Sequence, residues 1–180
     1  MDSSSSKKII DSRKIFLLGF MGSGKSYWAR IWAQHAGLQF ADLDALIEKE
    51  EGMSVAGLFE QKGEAYFRER EQALLLSYAG KENFILSCGG GTPCFNNNID
   101  WMNEHGRTVY LQATPEYIYE KVAGEKDKRP LLKNVPEAEL LSFIRQKLQE
   151  RSSFYEKATL KLPAAALGTA SIHTILHPGL

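Results

Sequence analysis

A glycine-rich stretch from Gly19 to Ser26 is the first feature with a chemical meaning, since its sequence GFMGSGKS fits the pattern G-x-x-x-x-G-K-[S/T]. Its glycines let consecutive backbone N–H groups face a phosphate, and a helix that follows adds partial positive charge. Lys25 can then reach the β- and γ-phosphates, and the Ser26 hydroxyl can ligate Mg²⁺. The alternative is a glycine-rich turn with a chance lysine, but an apolar run before the loop and helical spacing after it favour a nucleoside triphosphate site. The residues predicted to bind the nucleotide here are Gly22, Ser23, Gly24, Lys25 and Ser26.

Two carboxylates, Asp42 and Asp44, follow the second predicted strand. In a parallel sheet the carboxyl ends of the strands face the ligand crevice, and alternate strand residues point to the same side. We therefore expect both side chains at the site. One of them can hold a Mg²⁺-bound water, and the other can accept a hydrogen bond from an acceptor hydroxyl and help remove its proton. Capping of a helix that starts at Ala45 explains the same pair equally well.

Three glycines and three arginines are the other candidates. The run Gly89-Gly90-Gly91 follows the third predicted strand and either brings backbone N–H groups close to a ligand or forms a tight turn. Arg129 lies in a charged segment without periodicity, residues 124–133, which is typical of a mobile lid that carries a cation to the transferring phosphoryl group. Arg68 and Arg151 lie on predicted helices, where solvent-exposed arginines are also common.

The elements that position these residues alternate between apolar strands and amphipathic helices. Five strands separated by helices predict an α/β fold of three layers, a parallel sheet with helices on both faces. We predict one domain over residues 13–180, with a substrate lobe at 45–78 and a lid at 124–134, after a disordered polar N-terminus at 1–12. The strands are predicted at 14–18, 38–41, 84–88, 108–112 and 160–162, and the helices at 26–36, 45–51, 54–61, 64–78, 96–104, 115–122, 136–158 and 170–176.

Composition excludes several classes of protein. The 180 residues carry 22 basic and 22 acidic side chains, so the formal net charge is zero, which removes the electrostatic case for a duplex DNA binder or a polybasic membrane-surface protein. The two cysteines, Cys88 and Cys94, make neither a disulfide framework nor a zinc site. We expect a cytoplasmic monomer without nucleic-acid or membrane partners.

The candidate functions narrow to a kinase. Regulatory GTPases need an Asn-Lys-x-Asp segment to read guanine and an Asp-x-x-Gly switch, and neither string occurs. ATPase motors need a longer chain. A small-molecule kinase is the natural remaining class, in which one domain holds ATP and a lobe holds the acceptor. The alternatives are a gluconate-type kinase of the same architecture, which would not need two arginine forks, and a catalytically silent nucleotide-binding module.

The chain resembles the shikimate kinase family from about Lys14 to Tyr155. Each motif is modest alone, but the set is specific in this order and at these spacings. The motifs are G-x-x-G-S-G-K-S, Phe40-Ala41-Asp42-Leu43-Asp44, Gly63-Glu64 with Phe67-Arg68 and Glu71, Leu86-Ser87-Cys88-Gly89-Gly90-Gly91, Arg129-Pro130-Leu131, and Arg151 with Tyr155.

The resemblance implies a nucleoside-monophosphate-kinase-like fold and ATP-dependent phosphorylation of the 3-hydroxyl of shikimate, in the pathway to aromatic amino acids. It implies that Asp42 holds Mg²⁺ through water and that Asp44 binds the shikimate hydroxyls. It assigns Arg129 to the lid as a catalytic cation. The residues implied to hold the rest of the substrate are Arg68 and Arg151 on its carboxylate and the glycines Gly89, Gly90 and Gly91 beside it.

Two segments depart from the family. Tyr27 and Trp28 follow the glycine-rich loop where smaller residues are usual, and we expect them to pack on the sheet or the lobe. The C-terminal residues Pro163 to Gly168 are apolar and lack the polar residues often seen in the family's adenine loop. We therefore expect backbone and apolar contacts to adenine there.

Overall fold

A computed structural model describes residues 13–129 and 131–179, so the predicted disordered N-terminus lies outside the described residues. Its centre is one sheet of five parallel strands in the order β2-β3-β1-β4-β5. The α/β prediction is thereby confirmed. The strands are β1 (Lys14–Leu18), β2 (Gln39–Asp42), β3 (Phe84–Ser87), β4 (Arg107–Gln112) and β5 (Leu160–Pro163).

Helices cover both faces of the sheet, and short 3₁₀ turns join several of the elements. The helices are α1 (Lys25–Ala36), α2 (Leu43–Glu51), α3 (Val55–Leu76), α4 (Asn98–His105), α5 (Pro115–Val122), α6 (Leu140–Tyr155) and α7 (Ser171–Leu176). The 3₁₀ turns are Thr92–Cys94, Ala123–Lys128, Glu137–Glu139 and Ala164–Ala166.

Alternating side chains of the strands divide the core into two clusters. Ile15 and Leu17 of β1 pack on one face, which α1 and α7 cover, with the indole of Trp32 fully buried. Phe16 and Leu18 pack on the opposite face, which α2, α3, α4 and α6 cover. Each such side chain contributes roughly 1.5–3 kcal/mol on burial. Residues 15–18 of β1 are all apolar and alternate between the two faces, which is what a strand buried on both faces requires.

The strand order brings three loops together at one edge. The glycine-rich loop follows β1, the aspartate pair follows β2 and the glycine triplet follows β3, and these three strands are neighbours in the sheet. Because all strands run the same way, their carboxyl ends lie at the same edge. The candidate residues of three distant segments are therefore adjacent in space.

Several predicted boundaries are wrong, including those of α6, which is predicted over 136–158 and spans Leu140–Tyr155. Two of the differences have identifiable reasons. Helix α2 begins at Leu43 rather than Ala45, because the Asp42 side chain accepts a hydrogen bond from the Ala45 N–H and caps the helix two residues earlier. The two predicted helices between Ser54 and Tyr78 form one span, α3, with a kink at Gly63, whose φ of 82° and ψ of 168° are not helical.

The charged segment predicted to lack regular structure is partly ordered. Residues Ala123–Lys128 form a 3₁₀ helix directly after α5. The backbone N–H of Leu132 donates to the Arg129 carbonyl at 2.9 Å, and the Leu132 side chain is fully buried in a third apolar cluster with α5 and α6. The segment is therefore held against α5 and α6 by one apolar side chain, Leu132. The charged residues around it make this contact hard to predict from the sequence.

Candidate active site

The glycine-rich loop ends at Gly24, which precedes α1 with a left-handed φ of 91°. No side chain caps this helix, and its first turn holds no acidic residue, so the first N–H groups of α1 are free to meet an anion. A side chain at Gly24 would be strained at this φ, and its Cβ would lie 3.2 Å from the Trp28 ring. The loop has the geometry of a phosphate cradle.

Lys25 is buried beneath the loop. Its Nζ donates to the Gly19 carbonyl at 2.7 Å and to the Phe20 carbonyl at 2.9 Å. Burial lowers the pKa of Lys25 to about 8, although the negative charges of Asp44 and Asp42 oppose this shift. A lysine held in this way stays close to the loop, where an incoming phosphate can replace the two carbonyls.

Asp42 joins the loop to the second strand. Its Oδ1 accepts the helix-capping hydrogen bond from Ala45 at 3.1 Å, while its Oδ2 accepts a short hydrogen bond from the Ser26 hydroxyl. The Ser26 hydroxyl also lies 3.0 Å from that of Ser87 at the end of β3. Asp42 can therefore cap α2 and contact Ser26 at the same time, because each contact uses a different oxygen.

Asp44 has a different environment. It lies in the first turn of α2, so the predicted reason for its position, alternation along a strand, is wrong. Its Oδ1 is buried and finds no hydrogen-bond partner among the described residues. Burial raises the pKa of Asp44 to about 6, and the nearby negative charges of Asp42 and Glu71 add to this effect. A buried acceptor without a partner is prepared to receive a hydrogen bond from a ligand.

The three glycines after β3 are explained by close packing. The predicted alternative, a tight turn, is present, since the Thr92 N–H donates to the Gly89 carbonyl at 3.1 Å. None of the three glycines adopts a positive φ, so this turn does not by itself require glycine. A Cβ at Gly89 would lie 2.9 Å from Asp44 Oδ1, and one at Gly91 would lie 2.5 Å from Arg68 Nη2. At Gly90 the nearest atom would be Arg151 Nη1, at 3.1 Å. Each glycine therefore makes room for one predicted site residue.

Arg68 projects from α3 and is held by acidic partners. Its Nη1 donates to Glu71 at 2.7 Å, and its Nη2 donates to the exposed Glu64 at 3.2 Å. Glu71 is fully buried, and its other oxygen accepts a hydrogen bond from the Thr92 hydroxyl at 2.6 Å. The sequence motifs alone assign no role to Glu71. Its position three residues after Arg68 on a helix nevertheless predicts an ion pair between the two side chains.

Arg151 comes from α6 and lies near the glycine triplet. Its guanidinium carbon is 5.2 Å from the centre of the Phe20 ring. One turn later, the buried Tyr155 donates its hydroxyl to the Gly90 carbonyl at 2.6 Å, and burial raises the pKa of this phenol. Tyr155 thereby fixes the backbone against which Arg151 lies.

Two clefts meet at these residues. The first, about 290 Å³, extends over the glycine-rich loop, and the second, about 570 Å³, extends towards α3. Arg129 lines both, with Nη2 donating to Glu125 at 3.0 Å and a buried Nε that has no partner among the described residues. The residues common to both clefts are Met21, Asp44, Gly89, Gly90 and Arg129.

All the predicted site residues except Ser23 line one of the two clefts, and Ser23 is buried within the glycine-rich loop. Other residues line the clefts as well. Tyr27, Lys121 and Ser87 line the first cleft. Tyr27 is 65 % exposed, so the expected packing of this residue on the sheet is wrong. The signal for Ser87 was its position at the end of a strand beside the glycine-rich loop, and Lys121 gave no signal of its own.

A phosphate cradle with a buried lysine, open to a second cleft lined by three arginines, defines a kinase of the P-loop class that acts on a small molecule. A family model described as shikimate kinase matches residues 21–176. The shikimate kinase of Phocaeicola vulgatus is 42% identical over 145 residues, which are 81% of this chain and 83% of that protein. The chain belongs to the shikimate kinase family.

Solved structures agree. The crystal structure of shikimate kinase from Bacteroides thetaiotaomicron has a TM-score of 0.81 at 37% identity, covering 90% of this chain and 93% of that one. Shikimate kinase from Acinetobacter baumannii in complex with shikimate has a TM-score of 0.80 at 31% identity, covering 90% and 89%. A gluconokinase from Sinorhizobium meliloti, at 19% identity and a TM-score of 0.50 over 93% and 90% of the two chains, shares the fold alone.

The helices of the described residues can also be compared with membrane-spanning segments. None of them combines the length and the hydropathy needed to cross a bilayer.

Proposed function

We propose that this protein transfers the γ-phosphoryl group of ATP to the 3-hydroxyl of shikimate, which yields shikimate 3-phosphate and ADP for the synthesis of chorismate and the aromatic amino acids. One observation carries the proposal. A phosphate cleft and an arginine-lined cleft share Asp44, two glycines and Arg129, so a donor phosphate and an acceptor hydroxyl can meet there.

The donor side depends on positioning and charge. The loop residues Gly22, Ser23 and Gly24, with the first N–H groups of α1, bind the phosphates. Lys25 leaves the carbonyls of Gly19 and Phe20 and neutralises charge on the β- and γ-phosphate oxygens. Phosphoryl transfer has a loose transition state with charge on the peripheral oxygens, so fixed positive groups stabilise it.

The acceptor side depends on Asp44 and the arginines. Asp44 accepts a hydrogen bond from a substrate hydroxyl and helps to remove its proton, for which its pKa of about 6 keeps it ionised at neutral pH. Arg68 and Arg151 bind the carboxylate through charge-assisted hydrogen bonds. The backbone of Gly89, Gly90 and Gly91 borders the substrate, since no Cβ separates it from the cleft.

Mg²⁺ is the cofactor that we propose for this site. The oxygens of Ser26, Asp42 and Ser87 that cluster beside the loop are the ligand type a hard cation prefers. Among residues 13–129 and 131–179 no three His, Cys, Asp or Glu side chains group as a metal site. Ser26 would ligate the ion and Asp42 would hold its water, and the bound ion would neutralise phosphate charge.

The substrate lobe and the lid are proposals of the same kind. Residues 45–78, which include most of α2 and α3, contribute Arg68 and border the second cleft. Residues 124–134 contribute Arg129, whose unpartnered Nε supports a contact with the transferring phosphoryl group. Binding of both substrates would draw this segment over the site and exclude water.

A monomer in the cytoplasm fits these proposals. Side chains of a single chain line both clefts, so the site needs no second subunit. Both cysteines are free, which is compatible with a reducing compartment.

The test is a coupled assay of ADP release with MgATP, in the presence and absence of shikimate. We expect release that depends on shikimate and that gluconate does not support. Arg68→Ala and Arg151→Ala should each raise the KM for shikimate far more than the KM for ATP, since a charged hydrogen bond contributes roughly 1.5–3 kcal/mol. Release that is independent of shikimate, or faster with gluconate, would refute the proposal.

A further inference from the structure

The guanidinium of Arg68 lies against aromatic rings. Its central carbon is 4.1 Å from the centre of the Phe95 ring, 5.1 Å from that of Phe67 and 6.0 Å from that of Phe59. Phe67 is buried in the core, whereas Phe95 is 37% exposed and is one of the few large apolar side chains with such exposure among the described residues. Phe95 is the nearest of the three rings.

The backbone of the loop that carries Phe95 is constrained. Asn96 and Asn97 both adopt left-handed φ angles, 52° and 54°, which cost free energy in residues other than glycine. The Asn96 carbonyl accepts a hydrogen bond from the Gln72 side chain of α3 at 3.1 Å, and the Phe95 carbonyl accepts one from the Asn98 N–H at 2.9 Å. This loop is therefore tied to the helix that carries Arg68.

A fixed guanidinium plane matters for a planar ligand. Arg68 already donates through Nη1 to Glu71, while its Nε and Nη2 face Glu64, an exposed residue that a ligand can displace. A bidentate contact with a carboxylate requires the guanidinium to keep one plane and one edge towards the cleft. A ring whose centre lies 4.1 Å from the guanidinium carbon restricts rotation of that plane, and its negative face attracts the cation.

We propose that Phe95 is a positioning residue for carboxylate recognition, which acts through its cation–π contact with Arg68. This inference rests on the proposed function and names a determinant of affinity for the anionic substrate. Phe95 takes no part in phosphoryl transfer, so its contribution belongs to the KM for shikimate and leaves the chemical step unchanged.

The experiment compares Phe95→Leu, which keeps apolar volume but removes the π face, with Phe95→Tyr, which keeps both. We expect Phe95→Leu to raise the KM for shikimate about threefold to tenfold, the range that a cation–π contact gives. Its kcat and KM for ATP should equal those of the wild type, and Phe95→Tyr should restore the KM. Leu76→Ala, at another exposed apolar residue on α3, is the matched control and should change none of these constants.

A double-mutant cycle separates the contact from a general effect on the loop. In an Arg68→Ala background, Phe95→Leu should leave kcat/KM for shikimate unchanged, because the partner of the ring is absent. An equal loss in both backgrounds, or no loss in the wild-type background, would overturn the inference while shikimate-dependent activity of the wild type still supports the proposed function. Absence of that activity in the wild type would refute the proposed function itself.

Discussion

Asp42 and Asp44 are two residues apart and yet have opposite surroundings. Asp42 is fully engaged, with Ala45 on one oxygen and Ser26 on the other. Asp44 has a buried oxygen without a partner and a raised pKa. These environments support the different roles that we propose for two identical side chains, since an engaged carboxylate fixes geometry and one without a partner can accept a hydrogen bond from a ligand.

The two carboxylates can be distinguished by Mg²⁺. Asp44→Asn should lower kcat by about 10²-fold, near the lower end of general-base effects, because a loose transition state needs little base assistance. ATP binding should persist. Asp42→Asn should show a defect that raised Mg²⁺ partly relieves, since its proposed partner is the water shell of the metal. Titration of both variants with Mg²⁺ checks this, and rescue of Asp44→Asn instead would exchange the two roles.

Lys25→Met tests the donor side. We expect a fall of roughly 10²–10³ in kcat, equivalent to about 3–4 kcal/mol of transition-state stabilisation. The fold should survive, because burial disfavours the charged lysine, as its pKa of about 8 indicates, and methionine removes that cost. Thermal unfolding without nucleotide should show a Tm no lower than that of the wild type. A folded variant with near-normal turnover would contradict the assignment.

Among the elements, α3 is divided by the kink at Gly63 into an N-terminal part, residues 55–62, and a C-terminal part, residues 64–76, that carries Arg68. Its φ of 82° and ψ of 168° are accessible essentially to glycine alone, and a Cβ there would meet no atom within 4 Å. The cost of a side chain at this position is therefore purely that of the backbone.

Gly63→Ala should lower the free energy of unfolding by about 1–3 kcal/mol. Gly80→Ala is the matched control, because its Cβ also meets nothing within 4 Å and its φ is not positive, so it should be neutral or slightly stabilising. Urea unfolding of the two variants measures the difference. Equal stabilities would show that α3 adapts to a side chain at the kink.

The proposed lid, residues 124–134, has two parts. Leu132 is buried in the cluster with α5 and α6, whereas residues 124–129 are charged apart from Gly124. We expect fast amide hydrogen exchange at 124–129 without ligand, slower exchange with an ATP analogue and shikimate, and slow exchange at Leu132 in both states. Slow exchange throughout, unchanged by ligands, would exclude a closing lid.

For the molecule as a whole, burial of the Asp44 carboxylate lowers the free energy of unfolding at neutral pH. Burial raises the pKa of Asp44 from 3.8 to about 6, so the folded state binds this proton more tightly than the unfolded state does. Both states are protonated well below pH 4 and no cost arises. As the pH rises from about 4 to about 6, the unfolded chain loses the proton first. The free energy of unfolding therefore falls until the pH exceeds about 6.

Asp44→Asn should therefore be more stable than the wild type above pH 6, by up to about 3 kcal/mol, which corresponds to a shift of about two pKa units. The two proteins should converge near pH 3. Urea unfolding without nucleotide, measured across this range of pH, checks the prediction. A constant difference at every pH would mean that the Asp44 charge is not the cause.

The five strands, the phosphate loop and the helix termini at Gly37, Gly52 and Thr114 could be predicted from the sequence. These features depend on local preferences, namely apolar strands, glycines with positive φ and side-chain caps, which neighbouring residues encode. The residues from Gly19 to Ser26 carried their chemistry in the same way, since their spacing alone defines the cradle.

The positions of the arginines, Glu71 and Phe95 depend on the tertiary structure. Arg68 and Arg151 are 83 positions apart, and nothing in either helix distinguishes a ligand-binding arginine from a solvated one. Their meeting at the glycine triplet depends on the strand order, which places β3 between β2 and β1, and on side-chain packing across three segments. Long-range contacts of this kind have no local signature, because the free energy that selects them comes from burial of the whole core rather than from any short stretch of sequence.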